Sequence, residues 1–284
     1  MRCVLDNSID LVMISTTQPE KQICLHHTIP TLIDKFKFNN CFIGIDIIQN
    51  NQLNNNLKNI LHNLNFQIDM HVPNGMVKNL ESVIHLLKSD WVLYCEDDVN
   101  LDDFPNFNDL LDFISINFDG NVGIIDVLNA PGVRWNKTVS SNFKLNFLDK
   151  SFHKSYLNYH LFERTIDSYD LYYINFPMIL IRREIFQSCF DFAIENCKKS
   201  PIEQGFTFAY YAMGYHNIYK KIHIWKNLNF KTHDCNNLSG TEIAENYLSK
   251  NMLVKHRLTH PNLKFLNTSV LNNAAFSRID IYSF

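Results

Sequence analysis

Residues 74–99 read NGMVKNLESVIHLLKSDWVLYCEDDV, so a helical pattern, an apolar run and an acidic turn follow one another. The first part carries apolar residues at helical spacing, and residues 91–95 form an apolar run short enough for a buried strand. Three acidic residues, Glu96, Asp97 and Asp98, stand at the end of that run. We therefore predict a helix, a strand inside a sheet and a turn with three like charges, in that order.

The same alternation extends towards the N-terminus. Apolar runs at residues 10–15 and 41–48 predict two strands, the alternating pattern of residues 66–72 predicts a third, and helical spacing fills the segments between them. Thr17 is expected to cap the first helix, with Pro19 in its first turn. Near-continuous apolar strands separated by helices predict an α/β fold, a mainly parallel sheet with helices on both faces.

Polar side chains collect where three of these strands end. Ser15, Thr16 and Thr17 stand at the end of the first strand, Asp46 at the end of the second, and residues 96–98 follow the fourth. In open α/β sheets, ligands bind beyond the carboxyl ends of the strands. We therefore expect one rim of the sheet to gather these carboxylates and hydroxyls.

The acidic turn suits a hard cation. On an extended chain Glu96 and Asp98 point to one side and Asp97 to the other. Converging carboxylates repel one another unless a cation or a proton lies between them. Mg²⁺ and Mn²⁺ accept such oxygen ligands and take further positions from water and substrate phosphates, as a nucleoside diphosphate provides. The alternative is a solvated acidic turn that has no ligand.

The order of these motifs resembles the nucleotide-binding half of GT-A glycosyltransferases, most closely the family 2 type. In residues 74–99, Asn74-Gly75 supplies the turn, Lys78-Asn79 matches a basic-Asn pair, and residues 96–98 stand at the DxD-like motif. The resemblance implies a GT-A (Rossmann-like) fold. It also implies that Asp98 binds the metal, that Glu96 reaches the metal through water or binds the ribose, and that Asp97 supports either.

The resemblance also implies which residues hold the donor. Ser15, Thr16, Thr17 and Asp46 would hold the nucleoside, and Lys78 would lie near the base or the phosphates. The metal would be Mn²⁺ or Mg²⁺, and the donor a nucleotide-sugar, with a UDP-sugar favoured. For Lys78, an ordinary exposed lysine in the first turn of a helix is the alternative.

Two downstream segments match the acceptor half of the same family. Residues 200–219, SPIEQGFTFAYYAMGYHNIY, resemble its acidic acceptor motif, with Glu203 at the acidic position and Gln204 in place of the usual Asp. The resemblance makes Glu203 the general base of an inverting transfer, whereas a glutamate that merely favours a helix N-terminus is the alternative. His233, in FKTHDC, would join the metal or the diphosphate; an exposed loop histidine is the alternative, and Asp234 a less favoured substitute.

Composition limits the possible classes of protein. The chain has 284 residues and 46% hydrophobic content, enough for one sizeable core, and its net charge of −3 gives no basic field for nucleic acid. Seven cysteines show no zinc spacing and no disulfide rhythm. Without a signal peptide or membrane-span pattern, the sequence predicts a soluble cytoplasmic protein with reduced thiols, and its oligomeric state stays open.

No repeat or linker marks a boundary, so we predict a single GT-A domain over residues 1–284. Its nucleotide-sugar-binding half would cover about 8–128, its acceptor half about 129–240, and a C-terminal segment 241–284. Residues 130–169 give no clear element. Downstream of the acidic turn we predict helices at 107–118, 184–197 and 202–214, the last capped by Gly214, and strands at 122–128, within 170–183 and at 216–225.

The sequence thus favours a metal-dependent glycosyltransferase that moves a sugar to a glycan or another hydroxyl acceptor. One rival is a nucleotidyltransferase that makes nucleotide-sugars, but residues 14–21, ISTTQPEK, lack its glycine-rich phosphate loop. Another rival is a non-catalytic glycan-binding module that keeps the fold; against it stand the acidic residues at positions 96, 98 and 203.

Overall fold

The structure is a computed structural model that describes residues 8–48, 51–71, 75–97, 99, 105–118, 121–126, 152–157, 159–163, 174, 178–196 and 202–225. The chain divides into two compact units. Among the described residues, the first unit runs to Asp112 and the second begins at Phe113.

The first unit alternates strands and helices throughout. Its strands lie in the order β3-β2-β1-β4, and all three neighbouring pairs are parallel. The elements are β1 Ile9–Thr16, α1 Pro19–Lys35, β2 Asn40–Asp46, α2 Asn55–Asn63, β3 Phe66–His71, α3 Gly75–Ile84, β4 Trp91–Glu96 and the start of α4, Phe107–Asn117.

Both faces of the sheet in the first unit are covered. Successive side chains of a strand point to opposite faces, yet every residue from Ile9 to Met13 in β1 and from Trp91 to Cys95 in β4 is buried. Helix α1 contributes Leu25, Ile29 and Leu32 at helical spacing, all fully buried. The predicted α/β class, with a mainly parallel sheet and helices on both faces, is confirmed in this unit.

The second unit has a mixed sheet. Its strands lie in the order β8-β5-β9-β7-β6; β9 is parallel to β5, and the other pairs are antiparallel. The elements are β5 Val122–Asp126, β6 Phe152–Tyr156, β7 Tyr159–Glu163, β8 Met178–Arg182, α5 Arg183–Asn196, α6 Ile202–Ala212, a short 3₁₀ turn at Tyr215–Asn217 and β9 Lys220–Trp225.

Several predicted element boundaries need correction. The N-cap of α1 is Gln18 rather than Thr17, because the Thr17 hydroxyl is engaged elsewhere. Gly214 adopts the predicted left-handed conformation after α6, with φ of 76°. The strand expected from residue 216 begins only at Lys220, after the 3₁₀ turn. The β6–β7 hairpin lies within residues 130–169, where no clear element is predicted.

Candidate functional site

The carboxyl ends of three parallel strands meet at one rim of the first unit. Thr16 at the end of β1 lies opposite Asp46 in β2, and Ile14 lies opposite Glu96 at the end of β4. The register therefore brings polar side chains from three distant segments to the same edge, as predicted. We call the edge formed by Ser15–Thr17, Asp46 and Glu96–Asp97 the acidic rim.

Asp97 is a buried carboxylate of the acidic rim. Its side chain is only 5% exposed, and each of its oxygens accepts a hydrogen bond. Ser15 Oγ donates to Oδ2 at 2.6 Å, and the Lys21 ammonium donates to Oδ1 at 2.7 Å. A buried carboxylate needs such partners, because an isolated charge is strongly disfavoured away from water. Asp97 is therefore paired within the protein itself.

Helix α1 also holds the backbone of the acidic turn. The buried Thr28 hydroxyl lies 2.8 Å from the carbonyl oxygen of Asp97 and 2.9 Å from that of Val99, so its single proton serves both acceptors. Lys21 and Thr28 are seven residues apart, which places them on one face of α1, two turns from each other. One helix face thus contacts both the side chain and the main chain of the turn.

Thr17 and Asp46 join β2 to its neighbours. Thr17 Oγ1 accepts from the Ile48 amide at 2.8 Å, and the Thr17 amide donates to the Asp46 carbonyl at 2.8 Å. Asp46 Oδ2 accepts from the Gly75 amide at 3.0 Å, at the start of α3, where Gly75 has φ of 79°. An acidic side chain at a helix N-terminus is favourable, so Asp46 also fixes where α3 begins.

Lys78 points its ammonium at a neighbour on its own helix. Its Nζ lies 2.5 Å from Glu81 Oε2, and its side chain is 62% exposed. This is the geometry of an exposed helical lysine, which the sequence also allowed. The next residue, Asn79, is buried against Gly44, and its Oδ1 has no hydrogen-bond partner among the described residues.

The remaining predicted site residues are described only in part. Glu96 is half-buried at the end of β4, and Glu203 lies in the first turn of α6, its side chain outside the described part. Asp98 and His233 lie outside the described residues altogether. Within the described ranges, which leave out Asp98 and His233, no group of three or more His, Cys, Asp or Glu could hold a metal ion.

Sequence reasoning missed Lys21 and Thr28, although both contact the acidic turn. A usable signal existed in their spacing: Lys21, Cys24, Leu25 and Thr28 recur at helical intervals, and a lysine and a threonine on an otherwise buried helix face need partners. The strand ends alone do not reveal these two residues, because both lie on the helix that the turn faces. Four cysteines of the described part are buried and form no disulfide bond: Cys24, Cys41, Cys95 and Cys189.

Comparisons with known proteins give structural matches only. No family model matches the sequence, and no curated protein matches it either. Solved structures of GT-A type glycosyltransferases and of a related nucleotidyltransferase are similar to this chain, and the family 2 assignment stays a prediction. In the part of the chain that the structure describes, no helix is long and apolar enough to cross a membrane.

Three of these solved structures show the level of similarity in identity, TM-score and coverage. S. aureus TarS residues 1–349 is 15% identical at a TM-score of 0.47, with 75% of this chain and 60% of that chain covered. The CMP:2-keto-3-deoxy-manno-octonic acid synthetase with CTP is 10% identical at 0.40, covering 76% and 88%. Glucosyl-3-phosphoglycerate synthase from Mycobacterium tuberculosis, with Mn²⁺, UDP-glucose and phosphoglyceric acid, is 10% identical at 0.35, covering 64% and 59%. With TM-scores below 0.5, these matches carry no inference about the chemistry of this chain.

Proposed function

We propose that this chain is a metal-dependent glycosyltransferase that moves a sugar from a nucleotide-sugar, a UDP-sugar being favoured, to a glycan or another hydroxyl acceptor. The observation that carries the proposal is the register of β1, β2 and β4, which aligns the ends of the three strands. It gathers hydroxyls and carboxylates at the edge where α/β sheets bind ligands.

The donor set of the acidic rim fits a hard divalent cation. The side chains flanking Asp97 are carboxylates, which are the ligands that Mn²⁺ and Mg²⁺ prefer, and Mn²⁺ also accepts an imidazole. Asp98 would hold the metal, Glu96 would reach it through water or bind the ribose, and His233 would complete the site. When bound, the metal would neutralise charge on the departing nucleoside diphosphate.

Other residues would bind the donor and activate the acceptor. Asp46, held at one oxygen by the Gly75 amide, would bind the nucleoside together with Thr16. Lys78 would approach the base or the phosphates after leaving Glu81. Glu203, at the start of α6, would take the proton from the acceptor hydroxyl, which is the step an inverting transfer requires.

The first experiment measures release of nucleoside diphosphate from UDP-, GDP- and other nucleotide-sugars, with Mn²⁺, Mg²⁺ or EDTA. The proteins are the wild type, Asp98→Ala and Asp90→Ala. Asp90 is the matched control, because it is an exposed aspartate directly before β4, at the opposite end of the strand from the turn. We expect hydrolysis of one donor with Mn²⁺, unchanged in Asp90→Ala and reduced at least about 100-fold in Asp98→Ala.

Each alternative outcome has a distinct meaning. The transferase proposal would be refuted if no donor is hydrolysed and calorimetry shows no metal-dependent nucleotide binding. Residues 96–98 would then be a solvated acidic turn. Formation of a nucleotide-sugar from a nucleoside triphosphate and a sugar phosphate would identify the nucleotidyltransferase rival. Glycan binding without donor turnover would identify the binding module.

The role of Glu203 needs a separate measurement. Glu203→Gln should bind Mn²⁺ and UDP like the wild type but transfer sugar about 100- to 10,000-fold more slowly, because only proton transfer is lost. Glu195→Gln is the matched control, since Glu195 is an exposed glutamate on the neighbouring helix α5. Equal turnover by Glu203→Gln and the control would show that another group is the base.

A further inference from the structure

Two of the three consecutive acidic residues, Glu96 and Asp97, are described, and they differ in their surroundings. Glu96 is half-buried at the end of β4, whereas Asp97 is buried and its carboxylate accepts hydrogen bonds from both Ser15 and Lys21. Asp97 follows the last residue of β4, and its carboxylate faces β1 and α1 through Ser15 and Lys21. Both oxygens of Asp97 are thus bound by groups of the protein itself.

The position of Lys21 disfavours a metal at Asp97. A metal ion bound to Oδ1 would lie about 2.1 Å from that oxygen. Because Lys21 Nζ lies 2.7 Å from the same oxygen, ammonium and metal would be at most about 4.8 Å apart. Two cations at this distance repel each other, most strongly in a buried setting of low effective dielectric. The other oxygen, Oδ2, already accepts the Ser15 hydroxyl at 2.6 Å.

We infer that Asp97 is a positioning residue and not a metal ligand, with Lys21 as its counter-ion. The pair holds the acidic turn so that the flanking carboxylates of Glu96 and Asp98 supply the charge of the metal site. Thr28 completes this arrangement by fixing the carbonyls of Asp97 and Val99 from the same face of α1. The inference rests on the proposed function and specifies the ligand set of that same site.

The test separates metal binding from folding. Mn²⁺ binding in the presence of UDP is followed through the electron paramagnetic resonance of free Mn²⁺, for the wild type, Asp97→Asn and Asp98→Asn. We expect Asp97→Asn to stay within about threefold of the wild-type affinity and Asp98→Asn to lose at least tenfold, because only Asp98 contributes a ligand. For Asp97→Asn, the kcat of donor hydrolysis should fall at least fivefold while the Mn²⁺ concentration at half-maximal rate stays unchanged.

A second measurement tests the pair itself. Urea unfolding is measured for Lys21→Met, Asp97→Asn and the double variant. Lys35→Met is the control, since Lys35 is on the same helix and its ion pair is with the exposed Asp34. Each single variant should raise the unfolding constant, because it leaves one charge without its partner. The double variant removes both charges, so its increase should be at least tenfold smaller than the product of the two single increases. Lys21→Arg keeps the cation, so its kcat of donor hydrolysis should be close to that of the wild type.

The outcomes are distinguishable. If Asp97→Asn weakens Mn²⁺ binding as much as Asp98→Asn, Asp97 is a ligand and the inference is wrong, while the transferase proposal stands. Additive effects of Lys21→Met and Asp97→Asn would also refute the inference, because they exclude the pair. A wild type that binds neither Mn²⁺ nor UDP refutes the proposed function and this ligand set together. If Asp97→Asn does not fold, the double variant replaces it in the binding measurement.

Discussion

Asp10 is the residue whose replacement should cost the first unit most stability. It is fully buried near the start of β1, and its carboxylate accepts four hydrogen bonds. Oδ2 accepts the backbone amides of Lys88 and Ser89 at 2.7 and 2.9 Å. Oδ1 accepts Asn40 Nδ2 at 2.8 Å and Ser89 Oγ at 2.7 Å. Asp10 therefore ties the start of β2 and the loop before β4 to β1.

Asp10→Ala leaves these donors without an acceptor. An unsatisfied buried donor costs about 1–3 kcal/mol. The buried Ser89 amide should contribute about 2 kcal/mol, and the Lys88 amide and the Ser89 hydroxyl about 1 kcal/mol each. The half-buried Asn40 side chain can turn to water and should contribute little. The sum is about 4 kcal/mol, a large part of the 5–15 kcal/mol that stabilises a typical domain. Asp10→Asn should cost only about 1–2 kcal/mol, because its carbonyl oxygen still accepts both backbone amides.

The assay is urea unfolding followed by circular dichroism and tryptophan fluorescence, with the free energy extrapolated to water. Asp90→Ala is the control, since an exposed aspartate should change the free energy of unfolding by less than about 0.5 kcal/mol. The reasoning is refuted if Asp10→Ala loses less than about 1 kcal/mol. It is also refuted if Asp10→Asn is less stable than Asp10→Ala.

Three further changes test other contacts. Gly44→Ala would place a Cβ 2.8 Å from Asn79 Cβ, so α3 must shift, and urea unfolding should show a loss of about 1–3 kcal/mol; an unchanged free energy would contradict this close approach. Burial, with the Asp10 charge, raises the pKa of Cys41 to about 12, above the 9.0 of an ordinary thiol. The folded state thus keeps the proton, so this stability is present below pH 9 and is lost as pH rises towards 12. In urea unfolding, the free energy of unfolding should fall between pH 8 and pH 10 by about 1.4 kcal/mol less in Cys41→Ala than in the wild type. An equal fall in the two proteins would argue against the raised pKa. Thr28→Val removes the hydroxyl, so it should lower the free energy of unfolding by about 1–3 kcal/mol and also lower the rate of donor hydrolysis. Thr28→Ser keeps the hydroxyl, so equal effects of the two variants would contradict this role.

The sequence predicted the first unit well because its strands are nearly continuous apolar runs. Each such run is bounded by polar turns, and the helices between them are amphipathic. The period of the hydrophobic pattern and the length of each segment therefore indicate the same element. The edge strand β3 shows the limit: its alternation predicts a strand, but Ile68 and Met70 stay 39% and 38% exposed. A pattern reports which residues share a face, not whether anything covers that face.

The second unit was harder to predict because its strands have weaker local signals. The β6–β7 hairpin turns at Leu157, which takes a positive φ of 53°, a conformation that favours glycine or asparagine. A leucine at this position hides the turn, so residues 130–169 gave no clear element. In the described part of the longer apolar run, the strand β8 covers Met178–Arg182.

In the acidic rim, sequence predicted the positions of residues but not their partners. Ser15, Asp46 and Asp97 were placed at strand ends, and the parallel register confirms that placement. That Ser15 and Lys21 both bind Asp97 depends on the distance between β1, α1 and β4, which no local pattern encodes. Pairing by side chains over 76 residues or more requires the folded sheet.

The all-parallel sheet of the first unit has a consequence for how the chain is synthesised. Parallel neighbours cannot be joined by a tight hairpin, so each pairing waits for a crossover, and such high-contact-order pairings form slowly. Ser15 and Asp97 are separated by 82 positions. A nascent chain that has not yet released β4 from the ribosome therefore has no acidic rim, whereas the β6–β7 hairpin can close as soon as its own residues emerge.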